Sequence, residues 1–346
     1  MSVLTFGILG SGFGERVINP CVSFNKNMKV KYIFCRNKNK IKNKKIKNKI
    51  TDDYDKIFND KDIDIVCIAT PPGTHKFFVK KAIKKNKGII CEKPLASNLR
   101  DAKLMSQAIK KDKLFACVNH QLRFYPNIIK IKKLLDKNYL GKINYIEINH
   151  HTNKIGEAKK DSWWFDRKLG GGQTYAIGSH LIDLIQYLNG KIEFLTSYQG
   201  NFLKTKKFDK VISKKTVDTY FSLSCKFSNG SLGILSSSCI TNKYKGLNII
   251  ISGEKKTLEL TNFKNLLLYD FNGKIKNISA KDKLRFFKII GENPWRTSLV
   301  YYLKHIYLTF KKKRHFHGAT FQDGLLTQKI LNSAFISSKE KKFKKI

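Results

Sequence analysis

The sequence predicts an α/β amino-terminal half, built on a doubly wound parallel sheet, followed by an α+β half with an antiparallel sheet. Three observations predict it. Over residues 3 to about 120, short apolar runs alternate with amphipathic stretches, the pattern of βαβ units. The first apolar run leads directly into Gly10-Ser11-Gly12-Phe13-Gly14, a turn of the kind that links a strand to a helix. From about Lys191 to Leu268, strand-like runs are broken by Asn229-Gly230 and Ser252-Gly253, which suit hairpins.

The strands expected in the first half are Val3 to Leu9, Val30 to Cys35, Ile63 to Ala69, Gly88 to Cys91 and Leu114 to Asn119. Helical patterns lie between them. In Leu99 to Lys110, the residues Leu99, Ala102, Met105, Ala108 and Ile109 share one face. After Pro126 a helix is expected over Ile128 to Lys137, then a turn at Gly141 and a half-buried strand with Ile143, Tyr145, Ile146 and Ile148. The tail, Leu299 to Phe310 and Gly324 to Ser337, reads as helix. The expected division is a first domain over 1–121 and a second over 122–346.

At 346 residues with 41% apolar content, the chain can fill a core in each of two domains. No run of 18 apolar residues and no leader pattern is seen, so a cytoplasmic protein with no membrane partner is expected. The seven cysteines are scattered singly, without metal-ligand spacing, as suits small buried residues in a reducing compartment. The net charge of +42 would suit a polyanion, but only eight of the 68 basic residues are arginine. Lysine is interleaved with Asn, Ile and Phe, whose codons are all A/T-rich, so nucleotide bias accounts for the charge. No nucleic-acid partner is expected.

In Gly10-Ser11-Gly12-Phe13-Gly14 the first glycine allows a tight turn, and the second lets the backbone approach a pyrophosphate at a helix amino terminus. The strict G-x-G-x-x-G fingerprint would place its third glycine at Glu15; here it stands one place early, at Gly14. The end of strand two distinguishes NAD from NADP. An acid there would bind a ribose 2′-hydroxyl, yet the chain has Cys35-Arg36-Asn37 and no acid until Asp52. Arg36 is a candidate clamp for a 2′-phosphate, which favours NADP, with NAD as the alternative.

Strand three ends in Ala69-Thr70-Pro71-Pro72-Gly73-Thr74-His75, with Thr74 placed to cap the next helix, and strand four ends in Glu92-Lys93-Pro94. Ligands of doubly wound sheets bind at this carboxyl edge. Thr70, Pro71, Pro72, His75, Glu92, Lys93 and Gln121 therefore join the candidate cofactor-binding set. When hydride leaves a secondary alcohol for a nicotinamide, the hydroxyl proton must leave too. A lysine ammonium can stabilise the developing alkoxide, and an imidazole can take the proton. Lys93 and His180 fit these roles. Asp183, three residues after His180 on the expected helix His180 to Leu188, is a third catalytic candidate, able to orient the imidazole or hold a hydroxyl.

The ordered set of the glycine turn, Thr-Pro-Pro-x-x-His, Glu-Lys-Pro, Arg-Phe-x-Pro at Arg123 to Pro126, and Gly170-Gly171-Gly172 followed by Gly178-Ser179-His180-Leu181-Ile182-Asp183 resembles the Gfo/Idh/MocA oxidoreductase family. That family includes glucose-fructose oxidoreductase and inositol dehydrogenase. The resemblance runs on through Phe321-Gln322-Asp323-Gly324-Leu325. It implies a Rossmann domain, then a domain with an open, mainly antiparallel sheet that often mediates oligomers, here a dimer or tetramer. It also implies a cleft for a sugar, cyclitol or sugar derivative, with Lys93 and His180 matching the family's catalytic lysine and histidine. Arg123, where the chain passes into the second domain, is a substrate candidate. Trp163 and Trp164 would suit an apolar wall for a sugar face. No metal is expected, since His150 and His151 have no acid or cysteine at ligand spacing.

One position departs from the family pattern. Two residues before the Gly-x-His step, where an aspartate is common, stands Ala176. Asp183, or a residue such as His151 or Asp166, would have to compensate, or the substrate is held in a different geometry, or the chain binds a dinucleotide without dehydrogenase activity, as a sensor or scaffold.

Overall fold

A computed structural model describes residues 3–41, 43–153, 163–202, 217–242, 246–281 and 293–346. By its contacts the chain divides into two units, Met1–Tyr125 with Leu284–Leu325, and Pro126–Lys283 with Leu326–Ile346.

In the first unit, six strands, β1 (Leu4–Leu9), β2 (Met28–Phe34), β3 (Ile50–Thr51), β4 (Ile65–Ile68), β5 (Gly88–Cys91) and β6 (Ala116–Val118), form a sheet in the order β3-β2-β1-β4-β5-β6. Every pairing is parallel. The order reverses at β1, and this switch point is where such sheets bind dinucleotides. All residues of β1, β4 and β5 are buried, as expected of strands covered on both faces. The intervening helices are α1 (Asn19–Ser23), α2 (Asp55–Asn59), α3 (His75–Lys84) and α4 (Leu99–Asp112). In α4 the Asn98 side chain accepts from Asp101 N at 2.9 Å, lysines occupy the last turn, and Lys113 closes it in the left-handed region. β3 is too short to leave a periodic signal.

The second unit opens with α5 (Pro126–Asp136) and β7 (Ile143–His151), followed by α6 (Ser179–Asn189). Seven more strands follow: β8 (Ile192–Gly200), β9 (Tyr220–Phe227), β10 (Leu232–Ser238), β11 (Gly246–Gly253), β12 (Lys256–Thr261), β13 (Asn265–Asp270) and β14 (Ile275–Asn277). With β15 (Lys344–Lys345) they make a nine-stranded sheet, β14-β13-β12-β11-β7-β10-β9-β8-β15. Its one parallel pair is β10 with β7; the others are antiparallel. Asn229-Gly230 turns β9 into β10, with Gly230 at φ 88°.

The tail forms α7 (Pro294–Lys312) and α8 (Phe321–Glu340). A single boundary after residue 121 does not account for α7. Its Leu299, Tyr302, Leu303 and Ile306 are buried in one cluster with Phe6, Ile8, Cys67 and Ile90 of the parallel sheet, so the chain returns to the first unit to cover that face. All seven cysteines are buried and free. No described helix is long and apolar enough to cross a membrane.

Candidate active site

The glycine turn in the first unit uses its three glycines differently. Gly10 sits at φ +112°, and a Cβ there would lie 2.4 Å from the Ala69 carbonyl oxygen, so only glycine fits between β1 and β4. At Gly14 a Cβ would meet Ile8 Cγ2 at 2.5 Å, so this glycine lets the following turn pack on β1. Gly12 is exposed, and a Cβ there would meet nothing within 4 Å. Its backbone is open to a phosphate, and the residues present fit a dinucleotide. The first turn after the loop, Gly14–Ile18, is a wide π turn that runs into α1. Ser11 and the half-buried Phe13 complete the loop.

The corner beyond β2 is tied to this loop by Cys35, whose Sγ lies 3.0 Å from Ser11 Oγ and 3.1 Å from the Asn37 carbonyl. Arg36 is exposed beside it. The nearest acid along the chain, Asp52, is paired with Lys38 at 2.8 Å.

On the loop after β4, Thr74 does not cap α3. Its hydroxyl turns back to Thr70 Oγ1 (2.7 Å) and the Pro71 carbonyl (2.8 Å), drawing Thr70, Pro71 and Pro72 into a tight turn. His75 differs from its expected place among ligand-facing residues. It is fully buried, with Nε2 2.9 Å from the Thr70 carbonyl and Nδ1 3.1 Å from that of Leu95. Its ring braces the loop after β4 against the loop after β5, and burial lowers its pKa.

Lys93 follows β5 and is half-buried, with a cis bond to Pro94. Burial pushes its pKa down to about 8, against the opposing pull of Glu92. Burial also raises the pKa of Glu92, opposed by Lys93 and by a hydrogen bond from Asn119 Nδ2 to its Oε1. Asn119 belongs to no motif and gives no signal in the sequence. Gln121, two residues on, is buried, and its Oε1 has no donor among the described residues.

Arg123, the candidate substrate contact, has a partner within the chain. It is buried, and its guanidinium lies 3.4 Å from Asp323 Oδ1, while Asp323 Oδ2 accepts from Thr320 N (2.7 Å) and Thr320 Oγ1 (2.6 Å). A buried guanidinium needs an anion, and this chain supplies its own.

In the second unit, Trp163 and Trp164 are half-buried on the short helix Trp163–Phe165. Their carbonyls shape the glycine run. Gly172 N donates to Trp164 O at 2.8 Å, and a Cβ on Gly171 would lie 2.2 Å from that oxygen. Gly172, at φ +98°, has no room for a Cβ, which would meet Asp218 Oδ1 at 2.5 Å. A second wide turn, Thr174–Gly178, then leads into α6. His180 and Asp183 lie in the buried first turns of α6, with Ala176 one turn earlier.

Asp218 gave no signal in the sequence. Its Oδ2 accepts from both Thr174 N and Thr174 Oγ1 at 2.6 Å, anchoring the segment that carries His180. Burial raises its pKa, with the Thr174 hydrogen bonds opposing. His150 packs edge-on to Phe263, and His151 Nε2 lies 3.0 Å from Ser236 Oγ. Among the described residues no group of three or more His, Cys, Asp or Glu could hold a metal ion.

Residues 4–120 match the oxidoreductase family with an NAD-binding Rossmann fold, and residues 128–259 match the GFO/IDH/MocA C-terminal domain. The chain belongs to the GFO/IDH/MocA oxidoreductase family. Glucose-fructose oxidoreductase domain-containing protein 1 of Xenopus tropicalis is 29% identical over 188 residues, covering 54% of this chain and 47% of its own. Glucose-6-phosphate 3-dehydrogenase of Bacillus subtilis is 28% identical over 194 residues, 55% of each chain. The chain spans about half the length of these curated relatives. In fold it is similar over its whole length to levoglucosan dehydrogenase in complex with NADH and levoglucosan, at a TM-score of 0.87 and 19% identity, with all of both chains covered. The family thus carries an NAD-binding Rossmann fold, and sugar dehydrogenases are among the neighbours.

Proposed function

We propose that the chain is an NAD(P)-dependent dehydrogenase or reductase acting on a hydroxyl-bearing carbon of a sugar, cyclitol or sugar derivative. The observation that carries this reading is Lys93, a half-buried lysine at the carboxyl edge of a dinucleotide-binding sheet, with a pKa drawn down to about 8. Such a group is mostly protonated at neutral pH yet exchanges its proton readily, as an acid/base needs. The bound nicotinamide would accept the hydride at C4. Lys93 would stabilise the developing alkoxide or act as acid/base, with His180 as its proton partner and Asp183 orienting the imidazole. Gly10 to Gly14 would cradle the pyrophosphate. Thr70, Pro71, Pro72, Glu92 and Gln121 would line the cofactor's path, with His75 bracing the loops from beneath.

Arg36 supports NADP over NAD: it stands exposed where an acid would reject a 2′-phosphate. NADH in the levoglucosan dehydrogenase structure keeps NAD as the alternative. Trp163 and Trp164 remain candidates for an apolar wall against a sugar ring. Self-association through the second sheet is supported by Leu232, its register partner Tyr145, and Ile234, all exposed on β7 and β10. A dimer or tetramer with no membrane or nucleic-acid partner, acting in the cytoplasm, completes the reading.

A second reading is favoured by Ala176: a family member that binds the dinucleotide without turnover. A panel of sugars, sugar phosphates and cyclitols, assayed by nicotinamide reduction with each cofactor, separates the two. Reduction with any member of the panel excludes the second reading. Dinucleotide binding without reduction by any substrate class, and without oxidation of the reduced cofactor by the matching ketoses, contradicts the first.

A further inference from the structure

We propose that Asn119 is a positioning residue that holds Glu92 in its ionised form beside Lys93. The proposal rests on the reading of Lys93 as the proton-handling group, but its test does not depend on turnover.

Asn119 follows β6 directly, next to the end of β5, and its backbone N donates to the Cys91 carbonyl at 2.7 Å. The residue is wholly buried, and its Nδ2 donates to Glu92 Oε1. With the NH₂ toward Glu92 the amide matches the ionised carboxylate, which only accepts. This leaves Asn119 Oδ1 buried with no donor among the described residues. A leucine would remove that cost but would also strip Glu92 Oε1 of this donor, so the bond to Glu92 is what the amide contributes here.

The surroundings make Glu92 and Lys93 a pair that depends on this bond. Acting on Glu92 are Cys67 on β4, Cys91 on β5 and Tyr302 on α7, and Cys117 on β6 acts on those three. Burial raises the pKa of every one of these groups, that of Cys117 to about 12, so they stay neutral around pH 8. Arg123 acts on Tyr302 but is engaged by Asp323. Burial favours neutral Glu92 and neutral Lys93, and each charge is sustained by the other. A hydrogen bond to the anionic form shifts this balance toward the charged pair. Without it Glu92 takes up a proton more easily, and Lys93 loses the charge that keeps it protonated.

The test is the pH dependence of reductive methylation at Lys93, followed by peptide mass spectrometry on the full chain without cofactor. In the native protein the expected midpoint is about 8. In Asn119→Leu it falls by about one unit, as for loss of a neighbouring opposite charge. Glu92→Gln gives a fall of at least that size, and the double variant falls no further than Glu92→Gln. Asn119→Ser serves if the leucine variant does not fold. An unmoved midpoint in the folded Asn119 variant, or in Glu92→Gln, overturns the proposal. The pH profile of kcat/KM should move with the methylation midpoint. A midpoint that moves under an unchanged profile would leave Asn119 in this role and remove Lys93 from proton transfer.

Discussion

Arg123 is held at 3.4 Å by Asp323, a residue two hundred positions later in the chain, within the same unit. The pair ties the turn after β6 to the start of α8. Asp323→Asn takes a negative charge away from a buried guanidinium and should cost about 2 kcal/mol, less than a fully buried pair because the carboxylate is partly exposed. Burial alone would raise the Asp323 pKa, but Arg123 and Thr320 together hold it below the usual carboxylate range. The stability it contributes is therefore present above its unfolded pKa and lost as pH falls through the folded one. Thermal unfolding of the native protein and Asp323→Asn should converge at acid pH; a gap that persists there would count against the pair.

Gly10 and Gly12 separate folding from binding. Gly10→Ala meets the Ala69 carbonyl in a left-handed backbone and should destabilise the first unit by several kcal/mol or prevent folding. Gly12→Ala meets nothing and should leave the melting temperature unchanged, while weakening dinucleotide affinity by roughly tenfold through the lost close approach. Calorimetry on both variants checks this, and unimpaired binding by Gly12→Ala would mean that the pyrophosphate lies elsewhere.

Arg36 should set the choice of cofactor. Arg36→Glu is expected to raise Kd for NADP by about tenfold or more and to leave NAD binding equal or tighter, since a carboxylate there repels a 2′-phosphate and can accept from a ribose hydroxyl. Equal losses for both cofactors would show that Arg36 does not read the 2′ position.

Asp218 should matter to the His180 segment through Thr174. Asp218→Ala leaves a buried backbone N–H and a hydroxyl without their acceptor and should cost roughly 2 kcal/mol. Asp218→Asn keeps an acceptor and should cost less. Chemical denaturation distinguishes them, and equal losses would mean that charge, not hydrogen bonding, is what the site needs.

These residues also mark how far the sequence could be read. Periodicity carried five of the six parallel strands, because Ile, Val and Cys runs buried on two faces leave a strong local pattern, and missed the short β3, β14 and β15. The return of α7 to the first unit left no local trace: Leu299, Tyr302 and Ile306 say that one face is buried, not against what. Charge and a motif position make Arg123 and His75 stand out in the sequence, but do not show that Asp323, Thr70 and Leu95 are their partners within the chain. Asn119 and Asp218 gave no signal because their roles depend on Glu92 and Thr174, partners tens of residues away. The unequal duties of Gly10, Gly12 and Gly14 likewise became distinct only once Ala69 and Ile8 were placed beside them.

On the proposed function, Lys93 handles charge or proton in hydride transfer. Nicotinamide reduction by Lys93→Ala, measured beside its dinucleotide affinity on a substrate that the native protein oxidises, tests it most directly. Affinity within a few-fold of native and turnover lower by ~10²-fold or more are expected. Turnover at the native rate in that variant would contradict this role.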